Sequence, residues 1–145
     1  MIYWFTGQPG HGKTVLAKEL NSALFSNEAF HIDGDDLRAI FDNQDYSEAG
    51  RRKNIELAQH IAHFLDNKGQ DVVVSLVSPY KDQRDSFKEK IGNEKIHEIY
   101  VHTTETRERD HFHVKDYQSP TENFIDADTT NCTPTETLTQ ILKQL

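Results

Sequence analysis

Cysteine occurs once, at Cys132, so no disulfide can close within the chain. No apolar run approaches the length needed to span a membrane. Neither a basic leader nor an apolar signal segment precedes the first strand-like run. Together these absences argue against a disulfide framework, a transmembrane helix and secretion, and they set the expectation of a reducing, cytoplasmic setting. Positive charge is also short. Sixteen Lys plus Arg stand against 24 Asp plus Glu, a net charge of −8 that opposes non-specific binding to nucleic acid or to an anionic membrane. A local basic pocket remains compatible with that balance. Repeats, low-complexity tracts and linkers are missing too. At 145 residues and 35% hydrophobic content the chain suits one domain, residues 1–145, with a real core.

What is present alternates between strand-like runs and amphipathic segments, the pattern of a parallel sheet covered by helices on both faces. "MIYWF" reads as the first strand, and Lys13 to Phe25 sets Val15, Leu16, Leu20, Ala23 and Leu24 on one broad helical stripe. "AFHID", Ala29 to Asp33, is the second strand, followed by a short helix around "DDLRAIF" and the polar connection "DNQD". A long helix from Ser47 to Asp66 turns Ile55, Ala58, Ala62 and Leu65 inward, and "NKG" ends it. "DVVVSLV", the most apolar run, is expected to lie centrally in the sheet. A helix over Lys81 to Ile91, the strand "IHEIYVH", a helical turn at "TETRERD", the strand "NFIDAD" and a helix from Thr135 complete five βα units. The expected fold is three-layer α/β, with a five-stranded parallel sheet flanked by helices.

The stretch "FTGQPGHGKTVLAKEL" satisfies G-x-x-x-x-G-K-[ST], with Gly7, Gly10, Gly12, Lys13 and Thr14. Between a strand and a helix, such glycines let successive N–H groups turn toward phosphate oxygens, while the helix start adds its positive end. Lys13 would bridge the terminal phosphates of ATP. Thr14 would offer its hydroxyl to Mg²⁺, and the expected cofactors are ATP and Mg²⁺. His11 occupies a free position of the pattern and is expected to face solvent or phosphates without a chemical role.

Asp33 and Asp35 flank a glycine at the carboxyl end of the second strand, where an open α/β sheet places its ligand crevice. Transfer of a phosphoryl group to a hydroxyl needs a carboxylate there, to take the proton or orient the acceptor. A solvated turn with an aspartate capping the next helix fits the same residues. Arg38, one turn into that helix, favours an anionic acceptor. Past the third strand, Ser78, Pro79 and Tyr80 reach the same crevice.

Taken in order, Gly7 to Thr14, Asp33 to Arg38, "YSEAGRRKN" and "SPYKDQR" resemble the loop, D-G-D-x-x-R, F-S-x-x-x-R-x-x-N and S-P-Y-x-x-x-R runs of the adenylylsulfate kinase family. The resemblance covers nearly the whole chain and is more specific than the phosphate loop alone. It implies phosphorylation of adenosine 5′-phosphosulfate, adenylyl sulfate, on its ribose 3′-hydroxyl. By position it implies Asp35 as base or acceptor-orienting carboxylate and Asp33 beside it. Arg38, Arg51 and Asn54 would hold the phosphosulfate, and Tyr46 would stack on the acceptor adenine in place of a phenylalanine. Ser78 matches a serine associated with phosphorylation or acceptor contact, with Pro79 next to it; direct in-line transfer needs no covalent serine. Cytoplasmic sulfate assimilation and a homodimer belong to the same expectation.

The likeness breaks after "ETRERD", Glu105 to Asp110, where the family's basic lid is replaced at once by "HFHVKDYQSP". "FHVKD" can be laid over the family's F-T-G-I-D, which would keep Phe112 as the second face of the adenine sandwich and Lys115 nearby. Arg109 matches the family's R-D site beside the donor adenine. Loss of a lid that excludes water is expected to lower rate or loosen substrate choice without abolishing binding. His60 and His63, or His111 and His113, lack the carboxylate or cysteine partners of a Zn²⁺ site, and the latter two are at most contacts for the phosphosulfate. Two other readings stay open. One is a kinase of the same scaffold with a different small-molecule or nucleotide acceptor, and the other is a nucleotide-binding regulator that has lost catalysis with its lid.

Overall fold

The computed structural model describes residues 1–106 and 114–145. Strands β1 Ile2–Thr6, β2 Phe30–Asp33, β3 Val72–Ser75, β4 Ile96–His102 and β5 Ile125–Asp128 form one sheet in the order β2-β3-β1-β4-β5. Every neighbouring pair is parallel. Helices α1 Lys13–Phe25, α2 Gly34–Ile40, α3 Glu48–Asn67, α4 Lys81–Ile91 and α5 Pro134–Gln144 make the crossovers. Among the described residues, no helix is long and apolar enough to cross a membrane.

Strand alternation divides the core. Ile2, Trp4, Val72 and Val74 point to one face, where they pack with Leu37, Ile55, Ala58 and Phe87 from α2, α3 and α4. Phe5, Val73, Ile99 and Val101 point to the other, against Leu16, Leu20 and Ile141 from α1 and α5. Because both faces are covered, β3 is buried along its whole length. This is why "VVVS" reads as a continuous apolar run rather than an alternating one.

Several boundaries and faces differ from the sequence expectation. β3 is interior, but the middle strand is β1. On α1 the inward residues are Leu16, Ala17, Leu20 and Asn21, while Val15 and Leu24 are 49% and 41% exposed. Asn21 explains part of this, because its side chain exchanges two hydrogen bonds with the backbone of Ala29 and pins the turn before β2. Thr104 and Glu105 form a bend rather than a helical turn, and the rest of "TETRERD" lies outside the described residues. A short 3-10 turn at Asn93–Lys95, not expected, links α4 to β4. The last helix starts at Pro134, one residue early. Thr133 and Glu136 exchange the reciprocal bonds of a capping box around it.

Candidate active site

All five strands run the same way, so their carboxyl ends lie along one rim of the sheet. The loop after β1 curls there with Gly7, Gly10 and Gly12 all at positive φ. Gly7 is required twice over. Its φ is 151°, and a Cβ would fall 2.2 Å from the Val101 carbonyl oxygen of β4. Gly12, at φ 94°, opens α1 without a side-chain cap, so the first N–H groups of the helix are left to whatever the loop encloses. Lys13 is buried at 8% exposure and donates from Nζ to the Gln8 carbonyl at 2.8 Å. His11 is buried rather than open to solvent.

Thr14 and Asp33 bring the first two motifs into contact. The threonine hydroxyl donates to Asp33 Oδ1 at 3.0 Å, and the same oxygen accepts from Ser75 Oγ at 2.8 Å. With Ser75 donating to the carboxylate, His31 Nε2, 2.8 Å away, donates to Ser75. Burial is the main cause holding the His31 pKa below its usual value, with Asp33 opposing that shift. The second oxygen of Asp33 accepts the Asp35 N–H and so caps α2. The capping alternative is thus realised for Asp33 alongside its contact with Thr14. Asp35 itself is exposed on the first turn of α2, toward the cavity.

A cavity of about 800 Å³ joins these parts, within the range of small-molecule sites. Gly10, Gly12, Lys13 and Thr14 line it from the phosphate loop and the start of α1, and Asp33 and Asp35 from the end of β2 and the first turn of α2. Arg38 lines it from α2, Tyr46 from the loop before α3, and Arg51 and Asn54 from α3, while Ser78, Pro79 and Val114 complete the lining. Arg38 donates to the carbonyls of Asn43 and Asp45, both at 3.1 Å, and its guanidinium lies 4.0 Å from the centre of the Tyr46 ring. One side chain therefore carries a cation and supports the aromatic face of Tyr46, which is 62% exposed. The loop before α3 fits this closely because Gly50 has no side chain, since a Cβ there would meet the Asp45 carbonyl at 2.2 Å. Of the adjacent cations, Arg51 lines the cavity, whereas Arg52 turns to Asp82 with bonds of 3.0 and 3.1 Å. Asn54 is buried, and its Oδ1 has no hydrogen-bond partner among the described residues.

Ser78 is fixed from three directions. It sits at φ 46°, is 1% exposed and accepts the Trp4 indole N–H on Oγ at 3.0 Å. Its carbonyl accepts Arg84 Nη1 at 2.6 Å and Thr6 Oγ1 at 3.2 Å. Arg84 also bonds Glu98 Oε1 at 2.7 Å, and Lys88 bonds Glu98 Oε2 at 2.5 Å, a fully buried trio beneath the wall. The arginine of "SPYKDQR" is therefore a support of the Ser78 turn. Tyr117 closes the same region, its hydroxyl 2.8 Å from Thr6 Oγ1. Burial, partly offset by that bond, pushes its pKa well above the usual tyrosine value, so it stays neutral.

The cavity thus gathers twelve of the residues named from sequence, with Gly7 behind them against β4. Lys115 stands apart, exposed beyond Val114 and outside the lining. Arg109 and Phe112 lie outside the described residues. Sequence reasoning missed Gln8, Ser75 and Tyr117. Only Ser75, a hydroxyl inside an apolar strand, carried a local signal.

Residues 1–132 match the profile of the family described as Adenylylsulphate kinase. The adenylyl-sulfate kinase of Pseudomonas aeruginosa is 34% identical over 142 residues, covering 93% of this chain and 72% of that protein. That of Buchnera aphidicola is 30% identical over 106 residues, 71% of this chain, and the match spans about half, 52%, of its length. The solved structure of the Mycobacterium tuberculosis APS kinase CysC in complex with AMPPNP and APS superposes with a TM-score of 0.78 at 23% identity. It covers 98% of this chain and 95% of that one.

Proposed function

This chain belongs to the adenylylsulphate kinase family, and on that premise we propose that it moves the γ-phosphoryl group of ATP to the ribose 3′-hydroxyl of adenylyl sulfate. The observation that carries the reading is the shared cavity, which sets Lys13 and Thr14 on one side and Asp35, Arg38, Tyr46, Arg51 and Asn54 on the other. A donor and an acceptor can meet there without crossing a wall.

In this reading the loop N–H groups and the start of α1 receive the phosphates, and Lys13 exchanges the Gln8 carbonyl for the migrating phosphoryl group. Thr14 and Asp33 present hard oxygen donors side by side, a set that fits Mg²⁺. When bound there, that ion offsets phosphate charge. Asp35 orients the 3′-hydroxyl and takes its proton as the new P–O bond forms and the bond to ADP breaks. Arg38 and Arg51 hold the anionic end of the acceptor, and Asn54 Oδ1, buried and without a partner among the described residues, accepts a hydrogen bond from an N–H or O–H of its nucleoside part. Tyr46 stacks on the adenine. The roles that the resemblance implies for Arg109 and Phe112 fall on residues outside the described ones, and Lys115, exposed and outside the lining, takes no part in this reading. Ser78, with Pro79, acts by holding the wall. A cytoplasmic setting goes with ATP as donor and a single unpaired cysteine. Association as a homodimer is read by light scattering of the purified chain.

The test is a coupled assay of ATP consumption over a panel of acceptor alcohols that includes adenylyl sulfate, run on wild type and Lys13→Ala. The reading expects adenylyl sulfate to be the fastest acceptor, with turnover lost in the lysine variant while its circular dichroism is unchanged. A faster non-adenine acceptor, or wild-type turnover in the variant, overturns it.

A further inference from the structure

Gln8 stands at a position that the phosphate-loop pattern leaves free, between Gly7 and Pro9. Its side-chain amide makes two hydrogen bonds to one residue 106 positions away. Nε2 donates to the Val114 carbonyl at 2.9 Å, and the Val114 N–H donates to Oε1 at 2.8 Å. A primary amide offers one donor and one acceptor at the spacing of a peptide group, so the pair closes as two strands would. Through its carbonyl the same residue receives Lys13 Nζ. Gln8 therefore links the ammonium of the phosphate loop to a buried residue of the cavity wall.

Val114 begins a strap across the rim. Tyr117 N–H donates back to the Val114 carbonyl at 3.3 Å, and the Tyr117 hydroxyl meets Thr6. At the far end, Gln118 N–H donates to the Pro79 carbonyl at 2.8 Å, and Gln118 Oε1 accepts the Lys81 N–H at 2.9 Å. Arg84 Nη2 holds the Gln118 carbonyl at 2.5 Å. Residues 114–118 thus run from the phosphate loop to the Ser78–Pro79 wall. The far end has several fastenings. Among the described residues, the near end is held by Tyr117 and by the two bonds from Gln8.

We infer that Gln8 is a positioning residue for the acceptor. By clamping Val114 it fixes that part of the lining at a set distance from Lys13, and with it the shape of the cavity that the residues of α2 and α3 also line. The inference rests on the kinase reading above. Gln8 acts through Val114 rather than on reacting atoms, so its removal falls on acceptor affinity and spares ATP.

The experiment compares wild type, Gln8→Leu and Gln8→Glu, varying adenylyl sulfate and ATP separately and following the melting temperature and the pH profile. Leucine fills much of the space with neither bond, and it is expected to raise KM for adenylyl sulfate about tenfold with KM for ATP within about twofold. Ionised glutamate accepts from Val114 N–H but cannot donate to its carbonyl, so Gln8→Glu matches Gln8→Leu at neutral pH. As the pH falls toward the ordinary glutamic acid range its carboxyl regains a donor, and the acceptor KM recovers in that variant alone. If Gln8→Leu fails to fold, this recovery on acidification carries the test. An equal rise in both KM values, or lowered melting temperature with both constants unchanged, overturns the inference and leaves a structural role. Wild-type turnover with variants indifferent in acceptor KM overturns it alone. A wild-type chain inactive on adenylyl sulfate overturns the kinase reading and this inference with it.

Discussion

Thr14 donates its hydroxyl to Asp33 across 3.0 Å, joining the first turn of α1 to the end of β2. The two motifs that the sequence presents nineteen positions apart thus share an atom-level contact before any ligand arrives. The contact separates the two aspartates of the D-G-D run, since Asp33 is tied to Thr14, Ser75 and the Asp35 N–H, whereas Asp35 is exposed.

Asp33→Ala and Asp35→Ala should therefore both lose turnover but differ in stability. Loss of the α2 cap should cost Asp33→Ala about 1–2 kcal/mol in urea denaturation. Asp35→Ala should stay within about 0.5 kcal/mol of wild type. Equal stability losses would show that Asp33 is not fastening α2.

Tyr46 is exposed and rests on Arg38, so it contributes a ring face and little core. Tyr46→Ala should raise KM for adenylyl sulfate several-fold, as expected for loss of about 1 kcal/mol of stacking, with KM for ATP steady. Tyr46→Phe should restore the wild-type value. A variant that melts early with both constants unchanged would place the ring in the core instead.

Glu98 takes both Arg84 and Lys88 in a dry site under the Ser78 turn. Glu98→Ala leaves two buried cations without their carboxylate and should destabilise by about 3–5 kcal/mol, measured by urea denaturation. A loss below about 1 kcal/mol would mean that water or a rearranged carboxylate takes its place.

His97 lies half-buried on the Tyr3 ring, 5.4 Å between centroids. Burial first, and the positively charged chain start second, hold its pKa below the usual histidine value. Below about pH 6.5 the unfolded chain takes up a proton that the folded imidazole resists. Its stabilising contribution is therefore complete above that pH and is lost as pH falls through the folded pKa. His31, shifted the same way by burial, adds to the slope. Melting temperature should fall between about pH 7 and 5, and less steeply in His97→Phe. An unchanged slope in that variant would remove His97 from the effect.

Much of the scaffold was legible in the sequence because each element carries its own signal. A short apolar run marks β1, which is covered on both faces, Gly12 and Lys13 mark the start of α1, and α5 was legible to within one residue, from Thr135 against Pro134. The cavity residues were legible by their order along the chain, which the sheet topology converts into proximity at one rim. Gln8 was not. A glutamine has no periodicity to betray it, and its partner Val114 stands 106 positions further along the chain. Arg84 was visible as a motif position but not as a buried support, since its role depends on Glu98, whose register beside Trp4 turns it toward α4. The stripe on α1 was drawn too wide because Val15 belongs to the cavity lining rather than to the sheet.

The buried trio of Arg84, Glu98 and Lys88 makes the two jaws of this molecule unequal in evolvability. On the Ser78 side, any single exchange strands a charge in the interior, so that jaw changes only by several coordinated substitutions. On the other, half-buried Arg38 and Arg51 and exposed Tyr46 sit on a short helix, the start of its neighbour and the loop between them, where one substitution at a time is tolerated. New acceptor preferences in this lineage should therefore be sought by varying α2 and the start of α3, with the serine jaw kept as a fixed anvil.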